Sequence, residues 1–459
     1  MTTKKKVIIG IMIVCVLLLT AACLLSAPPE GIGNRLLSDT QKSDQKPVYA
    51  AGFSNKAAFS EEGIFYISGT RLCFYDCGQE QEYVFCSDSG CRHASETCSA
   101  YIGGKRLYGG YAMHQGRVYV MYADEDSPEL QIVSMDPAGK DKKIIARLDI
   151  GNGDLDEWTL KRIGDVYYDH GYAYLHLYWM QAQENNSLDG EQLLAVRLSD
   201  GRVTELTDIL IHEREYIAIS FELISGEDVI ASVWRYAPPV PSYEEYIAEH
   251  PNVEYEEYYQ TICENAPQET IYYDFCPKDG TQEVWYEEER RLVENSFFGI
   301  RSYMNSLLFL GTAGDQWLLM KRPRETFGEG GSYFLWNPKT QEAEVFQETS
   351  VSGDGPMSVG YGEAVDIMYS DREVLWMDTE EQDGKRKKRI SLYDLYSGEK
   401  RELYTLDTEE PDFPDIRGFC GDYVALGKSG DGDIAVYMIS REDFERGNWD
   451  AAKRTPVSL

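Results

Sequence analysis

Apolar and polar residues alternate along most of this chain in short runs with a period of two, the spacing of a strand with one face buried. One pattern recurs: a turn residue, a short alternating or aromatic strand, a polar hairpin, a second strand ending in Asp or a near equivalent, then a turn and a third strand. The first elements follow Gly63, Gly116, Gly171, Gly226, Asn305, Asp371 and Gly421, at spacings of 53, 55, 55, 79, 66 and 50 residues. The second elements keep step at Leu72–Asp76, Ile132–Asp136, Ala195–Ser199, Thr270–Asp274, Tyr333–Asn337, Ser391–Leu395 and Ala435–Ser440. Turns such as Pro137-Ala-Gly139, Asp200-Gly201, Asp279-Gly280 and Ser397-Gly398 follow them, each with residues suited to a tight reversal. A unit of this size with three or four short strands cannot bury both of its faces alone. Radial stacking of such units can, and it leaves only short edges. The pattern therefore predicts an all-β fold, a β-propeller of seven blades over residues 50–445, with six or eight as the alternatives because outer strands carry a weaker signal.

The pattern breaks twice. Over 237–268, Ala237-Pro-Pro-Val-Pro241 leads into two short helical stretches separated by Pro251-Asn252, and Ser242 with Glu245 has capping-box spacing. Tyr243, Tyr246 and Ile247, like Tyr255, Tyr258 and Tyr259, share a helical face, so each helix is expected to lay an aromatic stripe on blade four. At the amino terminus, Lys4, Lys5 and Lys6 precede an apolar run from Val7 to Leu25, the pattern of an export or membrane segment over 1–27. The run reads either as a retained transmembrane helix or as a lipoprotein signal, in which Leu19-Thr20-Ala21-Ala22-Cys23 makes Cys23 the lipidation candidate. Residues 28–49 read as a flexible tether and 446–459 as a C-terminal tail. Both readings of the run place the propeller on the extracytoplasmic side of the cell membrane.

Composition sharpens this picture. The 33 Tyr, 16 Phe and 8 Trp suit pleated, half-buried surfaces. A net charge of −34 repels nucleic acid and anionic lipid, so membrane contact is assigned to the N-terminal segment alone. No Gly-x-Ser-x-Gly elbow, His-Glu-x-x-His or P-loop occurs. Asn152-Gly-Asp154-Leu-Asp156 echoes a calcium loop but has Ile163 at the twelfth position, and Ser429-Gly-Asp431-Gly-Asp433 reads as a hairpin turn. No catalytic residue and no organic cofactor is assigned.

One cluster stands apart: Cys86-Ser-Asp-Ser-Gly-Cys91-Arg-His93-Ala-Ser-Glu-Thr-Cys98 holds three thiols and an imidazole in thirteen residues. That is the ligand inventory of a closed, structural tetrahedral zinc site. The alternatives are disulfides, since eight cysteines remain once Cys15 and Cys23 are set aside, or free thiols. Cys77 and Cys86 flank a short turn and can pair across a hairpin, whereas Cys73 and Cys77 on one strand stand roughly 13 Å apart, too far to bridge. Phe85-Cys86-x4-Cys91-x-His93-x4-Cys98-Ser-Ala-Tyr101 resembles the signature of uncharacterised membrane-anchored or lipoprotein β-propellers of Gram-positive gut clostridia, distantly related to TolB-like and low-density-lipoprotein-receptor-like propeller repeats. The resemblance implies an anchored extracytoplasmic propeller with the motif on Cys86, Cys91, His93 and Cys98, and it implies no activity. The expected function is a ligand- or protein-binding module whose partner is a protein or a carbohydrate. The alternatives are a carbohydrate-active or other hydrolytic enzyme with carboxylates at the propeller mouth, and a subunit of an envelope complex.

Overall fold

In the computed structural model, seven antiparallel sheets follow one another along the chain, built from the stretches 57–84, 105–149, 158–211, 216–304, 307–349, 355–407 and 415–458, here blades 1 to 7, the third of them joined by one strand from outside its stretch. The structure describes residues 48–458 with gaps; the runs of six or more residues left out are 1–47, 51–56, 323–330, 358–367 and 408–414. The membrane segment, Cys23 and the calcium-like turn at 152–156 lie outside the described residues. Within them, no helix is long and apolar enough to cross a membrane.

Period-two alternation explains the ring. In blade 1, Ile64 and Tyr66 point to one side of the sheet and Phe65 to the other, as do Cys73 and Tyr75 against Leu72 and Phe74. Each blade thus offers an apolar face to both neighbours. Eight buried clusters result among the described residues; seven are the successive blade interfaces, ending with the 7–1 seam, and the eighth belongs to the insertion. Among the described residues no strand is exchanged between blades 1 and 7, and the seam is held by side-chain packing with the Lys453–Glu80 ion pair at its surface. At the seam Gly418 meets the Phe59 ring, which a Cβ would approach to 2.6 Å.

Three boundaries differ from the sequence reading. Asn305 precedes the first strand of blade 5, Leu307–Ala313, not its second, Gln316–Lys321. With Gly314 as the corresponding turn the spacings become 88 and 57, leaving a single irregular interval, the one containing the insertion. The expected C-terminal tail carries Lys453–Ser458, the outer strand of blade 7, paired with Ile434–Ser440. Its charges and Pro456 look unstructured, yet an outer edge tolerates both. The expected tether also ends inside the ring. Val48–Ala50 pairs antiparallel with Val166–Tyr168 on the inner edge of the first strand of blade 3, beside the first strands of blades 1 and 2. First strands line the channel of a propeller, so this segment lies in the channel.

The strand directions fix two faces. Turns between first and second strands, and between third and fourth, share a lower face; second-to-third turns share the upper face with the connections between blades. Trp158–Asp169 runs downward, so its antiparallel partner Val48–Ala50 enters from below. The insertion joins Asp228–Tyr236 to Gln268–Phe275, second to third strand, and is on the upper face. It contains α1 (Tyr243–Glu249), whose Ser242 and Glu245 form the expected capping box, and α2 (Tyr255–Tyr258), which runs into a π turn, Tyr259–Cys263. The aromatic stripes do not lie flat on the blade. They face each other: Tyr243 and Tyr246 pack on Tyr258, with Tyr236 and Ile217 of the blade beneath.

Candidate metal centre

The outer strand of blade 1 is split, and the Cys/His cluster is what separates its halves. Gln81–Val84 pairs with the third strand from Asp76↔Gln81 to Cys73↔Val84. The next rung changes partner: Phe85 N–H donates to Leu72 O (3.1 Å), but Leu72 N–H donates to Ala100 O (2.9 Å). Ile102 N–H then donates to Thr70 O (2.9 Å), and Tyr101 bridges Arg71. Residues 81–85 and 100–102 are therefore lower and upper halves of one strand, and 86–99 is an excursion from its middle. Phe85 O, withdrawn from the ladder, accepts from Ser99 Oγ (2.9 Å). Blade 2 backs this junction with Gly139 at φ +77°, where a Cβ would stand 2.1 Å from Ser99 Oγ and 2.7 Å from Phe85 O.

Phe85, Cys98, Ala100 and Ile102 are buried in the interface of blades 1 and 2, with Cys86 and Cys91 packed against its rim. Tight turns fold the excursion: Cys91 N–H donates to Asp88 O (3.0 Å) and Cys98 N–H to Ser95 O (2.9 Å). His93 takes φ +52°, a left-handed conformation uncommon outside glycine. It brings Nδ1 to 3.3 Å from Cys98 Sγ while the His93 N–H donates to Cys91 Sγ at 3.4 Å. One ligand atom from each of Cys86, Cys91, His93 and Cys98 lies within 4.8 Å of the others, and no other such group occurs among the described residues.

The donor set fits zinc. Tetrahedral bonds of about 2.3 Å to sulfur place ligand atoms about 3.8 Å apart, so closure requires a contraction of about an ångström at most. The backbone N–H of His93 holds the Cys91 thiol below its ordinary range, whereas burial pushes Cys98 up to about 11. A cation among these sulfurs would hold Cys98 as thiolate against that burial. None of the eight described cysteines is joined in a disulfide. The ladder also excludes a Cys77–Cys86 bridge: Cys77 follows Asp76, which faces Gln81, while Cys86 follows Phe85, which faces Leu72. The two are separated by roughly 20 Å of strand.

The sequence reading missed a second polar centre. His176, on the second strand of blade 3, places Nε2 2.9 Å from Glu191 Oε2 on the third strand, and that oxygen also accepts from Ile219 N–H of blade 4 (3.0 Å). His212 brings Nε2 to 3.0 Å from Glu191 Oε1, off the axis of a good hydrogen bond. Burial would raise the Glu191 pKa; the two imidazoles outweigh it and hold it at about 2. A lone Glu, 15 residues from one His and 21 from the other, offers no spacing signal. His170, by contrast, sits in a turn with Nδ1 2.6 Å from Asp169 Oδ1.

No protein-family model and no curated protein matches this chain. Solved structures match over most of its length. An oligogalacturonate lyase in complex with manganese aligns at 8% identity over 86% of this chain and 90% of the other, with a TM-score of 0.41. The β-propeller domain of the Trilobed protease from Pyrococcus furiosus aligns at 10% identity over 83% and 90%, TM-score 0.39. TolB from Acinetobacter baumannii aligns at 10% identity over 87% and 80%, TM-score 0.28. Likenesses at this level bring no activity, ligand or metal to this chain.

Proposed function

We propose that this protein is a membrane-anchored, extracytoplasmic binding module for a protein or carbohydrate ligand, with one structural zinc clamping the edge of its first blade. The observation that carries the binding reading is the strand Val48–Ala50 in the central channel, the place where a propeller hydrolase would gather its carboxylates. The carboxyl held above its ordinary range among the described residues, Asp274, is on a third strand, away from the channel. Binding is then assigned to the upper face. The N-terminal segment, as retained helix or as lipid on Cys23, holds the chain to the membrane, and its tether enters the ring from below.

In the clamp, Cys86, Cys91 and Cys98 bind as thiolates and His93 through Nδ1. Four protein ligands leave no position for a substrate, so the metal's role is to join the two halves of the outer strand.

The test presents full-length protein in detergent with glycans and envelope proteins, reading both retention and chemical turnover. Retention without products supports a binding module. Turnover lost on substituting a channel carboxylate overturns it in favour of a hydrolase. Recovery of the native protein in the cytosolic fraction overturns the anchor.

A further inference from the structure

The insertion has finished its own packing and still shows aromatic surface. Tyr258 is buried and donates to Pro241 O (2.7 Å), Tyr243 donates to Val253 O (2.8 Å), and the Tyr246 ring stacks on His250 at 4.3 Å. Tyr255 and Tyr259, one turn apart on α2 and the π turn, remain 59% and 45% exposed, their rings 6.5 Å apart and inclined by 27°, with the Tyr255 ring resting on Tyr243 and Tyr258 along its inner side at 5.4 and 5.8 Å. Other exposed large apolar side chains, such as Ile144, Val284 and Val345, are scattered over outer strands of different blades, which is ordinary for a soluble surface. The Tyr pair is contiguous and sits on the upper face, opposite the side from which the tether enters.

The insertion's own acidic and basic residues are of one sign. Residues 237–268 contain Glu244, Glu245, Glu249, Glu254, Glu256, Glu257 and Glu264 and no Lys or Arg. Glu245 is engaged in the capping box and Glu256 accepts from Gln260 Nε2 (2.8 Å). Glu254 and Glu257 are neighbours of the Tyr pair in sequence and are exposed. An aromatic face beside carboxylates favours a cation over the ring and charge pairing at the rim.

We propose that Tyr255, Tyr259 and the flanking glutamates dock a Lys/Arg-rich segment of a partner protein. The proposal rests on the binding-module reading and names its partner class. The rings take a guanidinium or ammonium group across their faces, and Glu254 and Glu257 pair with the next cations of the segment. A neutral sugar could stack on the same rings but would leave these carboxylates without a role.

Full-length protein in detergent is titrated with a fluorescent Lys/Arg-rich peptide and with its lysine-acetylated, citrulline-substituted counterpart, at low and physiological salt. The variants are Tyr255→Ala with Tyr259→Ala, and Tyr255→Phe with Tyr259→Phe, each checked for an unchanged melting transition. The Ala pair should weaken binding about tenfold, as expected for two exposed cation–π contacts. The Phe pair should bind as the parent does, the neutral peptide should not bind, and affinity should fall with salt. Equal binding by parent and Ala pair overturns the site, because the general surface charge of −34 then suffices. Loss in the Phe pair as severe as in the Ala pair overturns it in favour of hydroxyl recognition. If the peptide fails while a glycan is retained, this inference falls and the binding-module reading stands.

Discussion

Replacing Glu191 with Gln should destabilise the propeller in a strongly pH-dependent way. The carboxylate has three neighbours that prefer it charged or at least accepting, Nε2 of His176, Nε2 of His212 and the Ile219 N–H; the low-dielectric interface of blades 3 and 4 disfavours the charge itself but strengthens each of these contacts. Its pKa is held at about 2 against an ordinary 4.5. At about 1.4 kcal/mol per unit, that depression corresponds to about 3 kcal/mol of native-state stability at neutral pH. Because the folded value lies below the unfolded one, the contribution is complete above the unfolded pKa and is lost as pH falls from about 4.5 towards 2. Gln keeps the shape but offers one accepting oxygen and an NH2 group that meets another donor. The variant should therefore lose about 3 kcal/mol at pH 7, and the gap should narrow steadily below pH 4.5. Urea unfolding followed by tryptophan fluorescence at several pH values measures it. A gap that is the same at pH 3 as at pH 7 would refute charge as its origin, and a gap well under about 1 kcal/mol at pH 7 would refute the trio as a significant tie between blades.

Three further outcomes are expected. Burial, then the charge of Asp228, raises Asp274 to about 6, so its proton is released at a cost as pH rises from about 3.8 through 6. Asp274→Asn should accordingly stabilise the protein at pH 7.5, by about 1 kcal/mol after discounting for partial exposure, and should be neutral near pH 3, as read from the melting temperature. Elemental analysis of protein purified without chelator should find one zinc per chain, lost in both Cys86→Ser and His93→Ala, with faster proteolytic nicking between 86 and 99; full metal retention in either variant would remove that residue from the ligand set. Deleting residues 1–50 should speed amide exchange at Val166–Tyr168, whose inner edge loses its partner strand, and unchanged exchange there would place the segment outside the channel.

What could be read from the chain followed burial. Second and third strands such as Gly63–Ser68 and Arg71–Asp76 are packed on both faces, so their apolar residues crowd into recognisable runs. Fourth strands are exposed along one side: Gln81–Val84, Glu342–Thr349 and Lys453–Ser458 are mostly polar, and nothing but their ladder partner makes them strands. For that reason 446–459 reads as a tail in the sequence although it carries Lys453–Ser458. The slip at Asn305 has another cause, because first and second strands of blade 5 both begin after turn residues and both are apolar. The four metal-site residues were legible through local spacing, since all fall within one loop. The split strand around them was not, because Phe85 and Ala100 become neighbours only through Leu72. The His176–Glu191–His212 trio was invisible for the same reason, being assembled by strand register and by a connection between blades.

A ring whose described seam exchanges no strand should open first where its interface holds the fewest stacked rings. The 5–6 interface stacks Tyr333, Trp376 and Tyr393 with ring centroids 5.1 to 5.3 Å apart, and the 4–5 interface packs Trp285 against Phe309, Trp317 and Trp336. The 7–1 seam packs Ile64, Tyr66, Tyr75 and Met438 together with four small groups, Cys73, Cys77, Cys420 and Ala425, without a comparable stack of rings, and its described ion pair, Lys453 with Glu80, is exposed and adds little. The seam also carries its own reporters, since all three thiols are at most 3% exposed. Thiol labelling in urea below the main transition should modify Cys73, Cys77 and Cys420 while tryptophan fluorescence remains native. Cys73, which burial lifts to about 11, should gain most in reactivity on exposure. Labelling of these three only in step with the loss of native fluorescence would mean that the seam is as strong as the other interfaces, and that the small residues there pack well enough to replace an exchanged strand.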